Sequence, residues 1–489
     1  MISENKWKVT AFWIIVGFII FSLLFGIDSF FLAALVVWIL GILYVCSDLR
    51  NRLLLGLFLV AFFIFLLSGH LVYEFFGMEL KYYFGDQYYF HSNFCLLISL
   101  IALLAGFAFS QRIRGFSVHK RVSRLNRVYH GNNPETIFWI RKISKILYFS
   151  TYILWLGVML EKVIFVQLNS YVSYYAEYTS SLPFFVRAIS AMTPYFLYLY
   201  LATLPPKKEC WWGLASYALY AVLSILTGRR SNMMFMFIFL GAYVILRHFR
   251  DKQEEWIKKK YVIGVIILLP LLVMFLYIYN YIRSDESIAG FSPLDMFLGF
   301  FQQQGFSSSI LRLELYHEGS LPSDTYYSLF GIVKFFRTNT ILKLLFNPQY
   351  AFSYLHNNVE FALRGNSLSN TLSYLELWNY LGGAGTGTCY IAELYHDFWF
   401  PGVLMGNFLY GIVIGVICRI WARKENYSIW LAAIGFALVE AFLKAPRWNF
   451  DIIFTYFFDL GMWMAFIAVF GLLWLVQWWP KRGVMNRTL

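Results

Sequence analysis

Residues 211–247 read WWGLASYALYAVLSILTGRRSNMMFMFIFLGAYVILR: two apolar runs, 212–227 and 233–247, meet at Thr227-Gly228-Arg229-Arg230-Ser231-Asn232. Each run is about the length of one bilayer crossing, so the stretch predicts a tight transmembrane helical hairpin with two arginines at its tip. An arginine at a helix centre costs roughly 2.5–3.5 kcal/mol on insertion scales and less near the interface. The pair therefore belongs at a membrane surface or in a polar cavity, and the rest of the chain must say which.

Working outward, the same apolar pattern recurs along the whole sequence. Of 489 residues, 60% are hydrophobic and only 14% charged, which excludes a soluble domain of this length. Twelve spans are expected, at about 9–26, 29–46, 53–69, 93–110, 144–167, 187–204, 212–227, 229–247, 261–281, 402–421, 429–444 and 452–478. The fold class is thus an all-α polytopic membrane protein. The first span lacks a small-residue cleavage site and is read as retained. Cys46, Cys95, Cys210, Cys389 and Cys418 are scattered, and neither they nor the histidines show metal-ligand spacing, so no metal or cofactor is expected.

The net charge of +13 is localised. Arg112, Arg114, Lys120, Arg121, Arg124, Arg127, Arg141, Lys142 and Lys145 crowd one loop, 111–143 with the first residues beyond it, against the single acid Glu135. Further basic groups stand at Lys207-Lys208, Lys258-Lys259-Lys260, Arg419, Arg423, Lys424 and Lys481-Arg482. The positive-inside rule makes all of these cytoplasmic, with both termini inside and the Arg229-Arg230 tip outside. Attraction to anionic membrane lipid accounts for the basic loop without any nucleic acid.

Residues 1–281 then hold spans one to nine. Residues 282–387, with eight acids and six bases, form an extracytoplasmic cap expected to carry short helices on the membrane surface. The glycine-rich Gly382-Gly383-Ala384-Gly385-Thr386-Gly387-Thr388 leads into a re-entrant or surface helix over 388–401, closed by Pro401-Gly402. Residues 402–489 supply spans ten to twelve and a cytoplasmic tail. The tyrosine-rich segments 70–92 and 168–186 suit the membrane interface better than sugar stacking.

Two constellations could carry chemistry. Glu393, His396 and Asp397 share one side of a helix, beside Tyr395, and a carboxylate with an imidazole can take a proton from a sugar hydroxyl. Arg229, Arg230, Arg283, Arg364 and Arg447 lie on the outward side, and guanidinium forks suit diphosphate oxygens. Glu440 and Asp459 are intramembrane acids, the first with Lys444 four residues on. There is no Walker loop, no GxGxxG after a strand, and no DxD site in the cap.

Thr227-Gly228-Arg229-Arg230-Ser231, Arg283, and Gly-Gly-Ala-Gly-Thr-Gly-Thr-Cys-Tyr-Ile-Ala-Glu-Leu-Tyr-His-Asp-Phe (382–398) followed by Pro401-Gly402-Val403 resemble the Wzy-type bacterial O-antigen, capsule and exopolysaccharide polymerases. Where that pattern has Asp-Phe-Gly, this chain has Asp397-Phe398-Trp399. The resemblance implies a fold like the metal-independent membrane C-type glycosyltransferases. It implies a bacterial cytoplasmic-membrane enzyme with an outward-facing site. Such an enzyme moves a growing glycan from undecaprenyl pyrophosphate to the non-reducing end of an undecaprenyl-pyrophosphate-linked repeat unit. Partners would be that lipid-linked oligosaccharide, membrane lipids and a chain-length regulator protein. In this scheme Arg229, Arg230, Arg283, Arg364 and Arg447, with Tyr395 and Asp397, bind substrate; Glu393 is the base, with His396 and Arg230 catalytic. The alternatives are a flippase of lipid-linked oligosaccharide, disfavoured by the lack of paired halves, and an O-antigen ligase.

Overall fold

The computed structural model describes residues 28–112, 133–169, 173–174, 177–228, 230–251, 253–284, 292–338, 353–354, 356–423 and 427–485. All regular structure among them is helical. Eleven helices are long and apolar enough to span a membrane: α1 (Ser29–Ser47), α2 (Leu49–Phe76), α3 (Asp86–Arg112), α4 (Pro134–Leu168), α5 (Phe184–Ala202), α6 (Lys207–Thr227), α7 (Arg230–Arg250), α8 (Lys259–Tyr281), α9 (Tyr390–Ala422), α10 (Ile429–Arg447) and α11 (Leu460–Gln477). Each coincides with an expected span. The expected span 9–26, most of the basic loop, and Arg229 lie outside the described residues, as does the side chain of Arg283.

Local chemistry sets the helix ends. Asp28 caps α1, its carboxylate accepting from Phe31 N (2.7 Å) and from Asn93 Nδ2 of α3 (2.9 Å). Asn133 and Pro134 open α4. Asp459 does not sit inside a span as its sequence position suggests. The expected last span from 452 starts later because residues 452–458 form short turns, and Asp459 closes them by accepting from Gly461 N (2.7 Å) and the Tyr195 hydroxyl (2.5 Å).

Helices α3 and α9 form the centre of the bundle through small residues. A Cβ on Gly106 would lie 2.0 Å from Phe408 O, and one on Gly411 2.1 Å from Leu103 O, so only glycine permits this approach. Asn407 bridges the pair, donating to Ser99 Oγ (3.1 Å) and accepting from the Tyr390 hydroxyl (2.5 Å).

The segment 292–387 is not confined to the surface. Its first helix, Pro293–Gln304, starts with a reciprocal Ser292/Asp295 cap and leads into Ser309–Tyr316, where Ile310 through Glu314 are all completely buried. Burial of Arg312 is possible because its guanidinium finds acceptors on every side: Lys81 O, Tyr82 O, His70 Nε2 and Ser92 Oγ. Ser68 of α2 donates to Phe301 O (2.9 Å), and Gly69 meets Gly305 backbone to backbone.

The helix expected over 388–401 and the span expected from 402 are two segments of α9 joined at Trp399, whose backbone is left-handed (φ 55°, ψ −150°). That region is nearly reserved for glycine and costs a larger residue of order 1–3 kcal/mol. Trp399 occupies the position where the resembled motif has glycine, and its side chain is mostly exposed. Trp399→Gly is therefore expected to stabilise the protein by about 1 kcal/mol after the loss of unfolded-chain restriction. A thermal melt in detergent micelles checks this; an unchanged or lower midpoint would contradict the strain.

Candidate functional site

Gly228 ends α6 in a left-handed conformation (φ 77°), its N–H bonded to Ile225 O, and Arg230 then opens α7. The turn thus delivers Arg230 to a fixed place. Its Nη2 donates to Asn280 Oδ1 (3.1 Å) and its Nη1 to Leu276 O, both on α8. From the other side, Pro446 tightens the last turn of α10 and directs Arg447 inward, where Nη1 donates to Gln304 Oε1 (3.1 Å) and the guanidinium lies 5.1 Å from the Phe65 ring centroid. One turn earlier Lys444 pairs with Glu440.

These groups face a cavity of about 1400 Å³ between α2, α7, α8, α10 and residues 300–312. Among the described residues, Lys81, Arg230, Arg312, Lys444 and Arg447 line it with one carboxylate, Glu79. Such an excess of positive charge at a partly desolvated hollow suits an anion, and guanidinium groups match diphosphate oxygens.

The acidic residues do other work. Glu393 is completely buried and is not among the cavity's lining residues. Its carboxylate accepts from Thr388 Oγ1 (2.8 Å), Asn449 Nδ2 (2.7 Å) and Phe450 N (2.8 Å). It ties the glycine-rich lead to the loop that carries Arg447. It does not line the cavity, and two of its donors stand two and three residues beyond Arg447. Asp397 accepts from Tyr327 N (3.0 Å) and Ser328 N (2.8 Å), and Asp451 accepts from Ile332 N (2.8 Å). Both therefore hold the N-terminal approach to the helix Phe330–Thr338. Burial pushes Asp451 up to about 6 from its ordinary value.

His396 turns away from the cavity as well. Its Nδ1 shares a hydrogen bond with Glu314 Oε1 (3.2 Å), and Tyr395 packs edge-on against His91. Arg364 is exposed at the end of Val359–Arg364, its carbonyl taken by Arg337, and does not line the cavity. Of the arginines expected at the site and described, Arg230 and Arg447 line the same cavity.

A family model of O-antigen polysaccharide polymerase Wzy matches residues 9–477. The chain belongs to the Wzy polymerase family. No curated protein and no solved structure matches it. Members of the Wzy family polymerise O-antigen repeat units, and the multi-pass architecture described above is that of a membrane-embedded glycosyltransferase-type polymerase.

Two lining residues of this Wzy chain escape a motif-based reading. Lys444 looks like half of a helical ion pair with Glu440, yet it lies three residues before Arg447, so both share a helix face. Lys81 sits in an interfacial tyrosine-rich loop and carries no local signal; Arg312 brings it to the cavity by holding its carbonyl.

Burial raises the Glu314 carboxyl from 4.5 to about 7, against the opposing pull of its hydrogen bond with His396. The folded protein thus holds this proton more tightly than the unfolded chain. The resulting stabilisation is complete below about pH 4.5 and is lost as pH rises through about 7. Glu314→Gln is expected to flatten the melting temperature across that window; an unchanged slope would refute the assignment.

Proposed function

We propose that this polymerase transfers a glycan from undecaprenyl pyrophosphate to the non-reducing end of an undecaprenyl-pyrophosphate-linked repeat unit, with the pyrophosphate seated in the basic cavity. The observation that carries this reading is that Arg230, Lys444 and Arg447, from two different helices, line one large cavity. An acceptor hydroxyl oxygen bonds to the sugar C1 as the bond from C1 to the pyrophosphate oxygen breaks. The electron pair leaves with undecaprenyl pyrophosphate, and the proton of the hydroxyl passes to solvent water. Charge develops on the departing pyrophosphate, where fixed guanidinium groups stabilise it without needing to reorganise.

Arg229, next to Arg230 in sequence, and Arg283, at the end of the helix that holds Arg230, belong to the same proposal. Glu393 enters as a positioning residue for Arg447. The distribution of basic loops supports placing the cavity on the extracytoplasmic side of the cytoplasmic membrane, with both termini inside.

Purified protein in nanodiscs, given a lipid-linked repeat unit and no nucleotide, is expected to build a ladder of products. Arg230→Ala or Arg447→Ala should slow it about 100-fold or more, the scale for losing one preorganised donor to a developing anion, and Lys444→Ala about tenfold. Ladders at wild-type rate from folded variants would sink the assignment.

Because Glu393 acts through Arg447, Glu393→Gln should slow the wild type but add little to Arg447→Ala. Fully additive losses in rate would instead give Glu393 a role of its own.

A further inference from the structure

A second hollow, of about 300 Å³, opens beside the basic cavity and shares Asn232 and Lys444 with it. It lies between α4, α5, α6, α7 and α10, at the size of the smallest ligand sites. Its walls are aromatic and hydroxylated. Trp155 lies flat on Tyr220, with ring centroids 3.4 Å apart and planes within 4°, and Tyr217 follows at 6.0 Å. The Tyr198 and Tyr217 hydroxyls are 3.2 Å apart, sharing one hydrogen bond and two protons between them, so one proton remains for a bound acceptor. Glu440 also lines the hollow, its carboxylate held by Lys444 at the boundary with the basic cavity.

This lining suits one chemistry. A polyprenyl chain is aliphatic and offers nothing to a hydroxyl or a carboxylate, and placing it here would strip those groups of partners. A pyranose has an apolar face for an aromatic ring and hydroxyls at its edge for tyrosine and carboxylate. The adjoining site is basic, so a ligand spanning both parts carries its anion directly beside its sugar. We propose that the tyrosine-lined hollow binds the sugar ring attached to the pyrophosphate, with Glu440 accepting a hydrogen bond from a ring hydroxyl. This rests on the reading of the neighbouring cavity as the pyrophosphate site.

The test compares binding of undecaprenyl pyrophosphate, bare or carrying one glucose, galactose or N-acetylglucosamine, to the full-length protein in nanodiscs. Wild type should prefer at least one sugar-bearing lipid over the bare one. Glu440→Gln and the double variant Tyr198→Phe/Tyr217→Phe, both close to isosteric and both checked by thermal melting, should each shrink that preference about tenfold, the scale of one lost hydrogen bond to a charged or buried partner. The readout is the ratio of the two dissociation constants, because freeing Lys444 in Glu440→Gln alters the bare lipid's affinity as well. Arg447→Ala should weaken both lipids and leave the ratio unchanged. A wild type without preference, or an unchanged ratio in both hollow variants, overturns the sugar subsite. Unchanged affinities in Arg447→Ala overturn the pyrophosphate reading beneath it.

Discussion

The buried carboxylate of Glu393 is the point on which the site depends. Three donors converge on it from two places far apart in the chain, the glycine-rich lead at Thr388 and the loop at Asn449–Phe450. A carboxyl group taken this far from water is tolerated only when its oxygens find partners, and its removal would leave the donors stranded. Asp397 and Asp451 repeat the device on backbone N–H groups of the cap. These three acids therefore fasten the cap and the residues after Arg447 to the bundle, while cations outnumber acids in the described lining of the cavity.

The cavity's cations differ in what holds them. Arg230 donates to a carbonyl and an amide oxygen, and Arg447 to another amide oxygen. Such acceptors orient a guanidinium without cancelling its charge. Lys444 differs: its partner is the carboxylate of Glu440, so its charge is partly cancelled before any ligand arrives.

How much of this was legible in the sequence varied with the range of the interaction. The spans follow from runs of apolar residues, a local property, and eleven of them stand where hydropathy puts them. Arg230 and Arg447 were legible because a cation beside an apolar run has few other reasons to be there. The role of Glu393 was not, since its partners lie 56 and 57 residues onward and nothing local says which way the helix turns. The segment 282–387 was expected to carry helices on the membrane surface, whereas the fold buries its Arg312 and Glu314 by bringing acceptors and an imidazole from elsewhere. The glycine absent at 399 was visible as a departure from a motif, but only the backbone angle shows what that departure costs.

Arg312 carries a consequence for ionic conditions. All four of its hydrogen-bond acceptors are uncharged, and it is sealed from solvent at the cavity wall. Salt screens a buried charge much less than an exposed one. The share of the cavity's potential that Arg312 supplies is therefore weakened less by added salt than the share supplied by exposed cations.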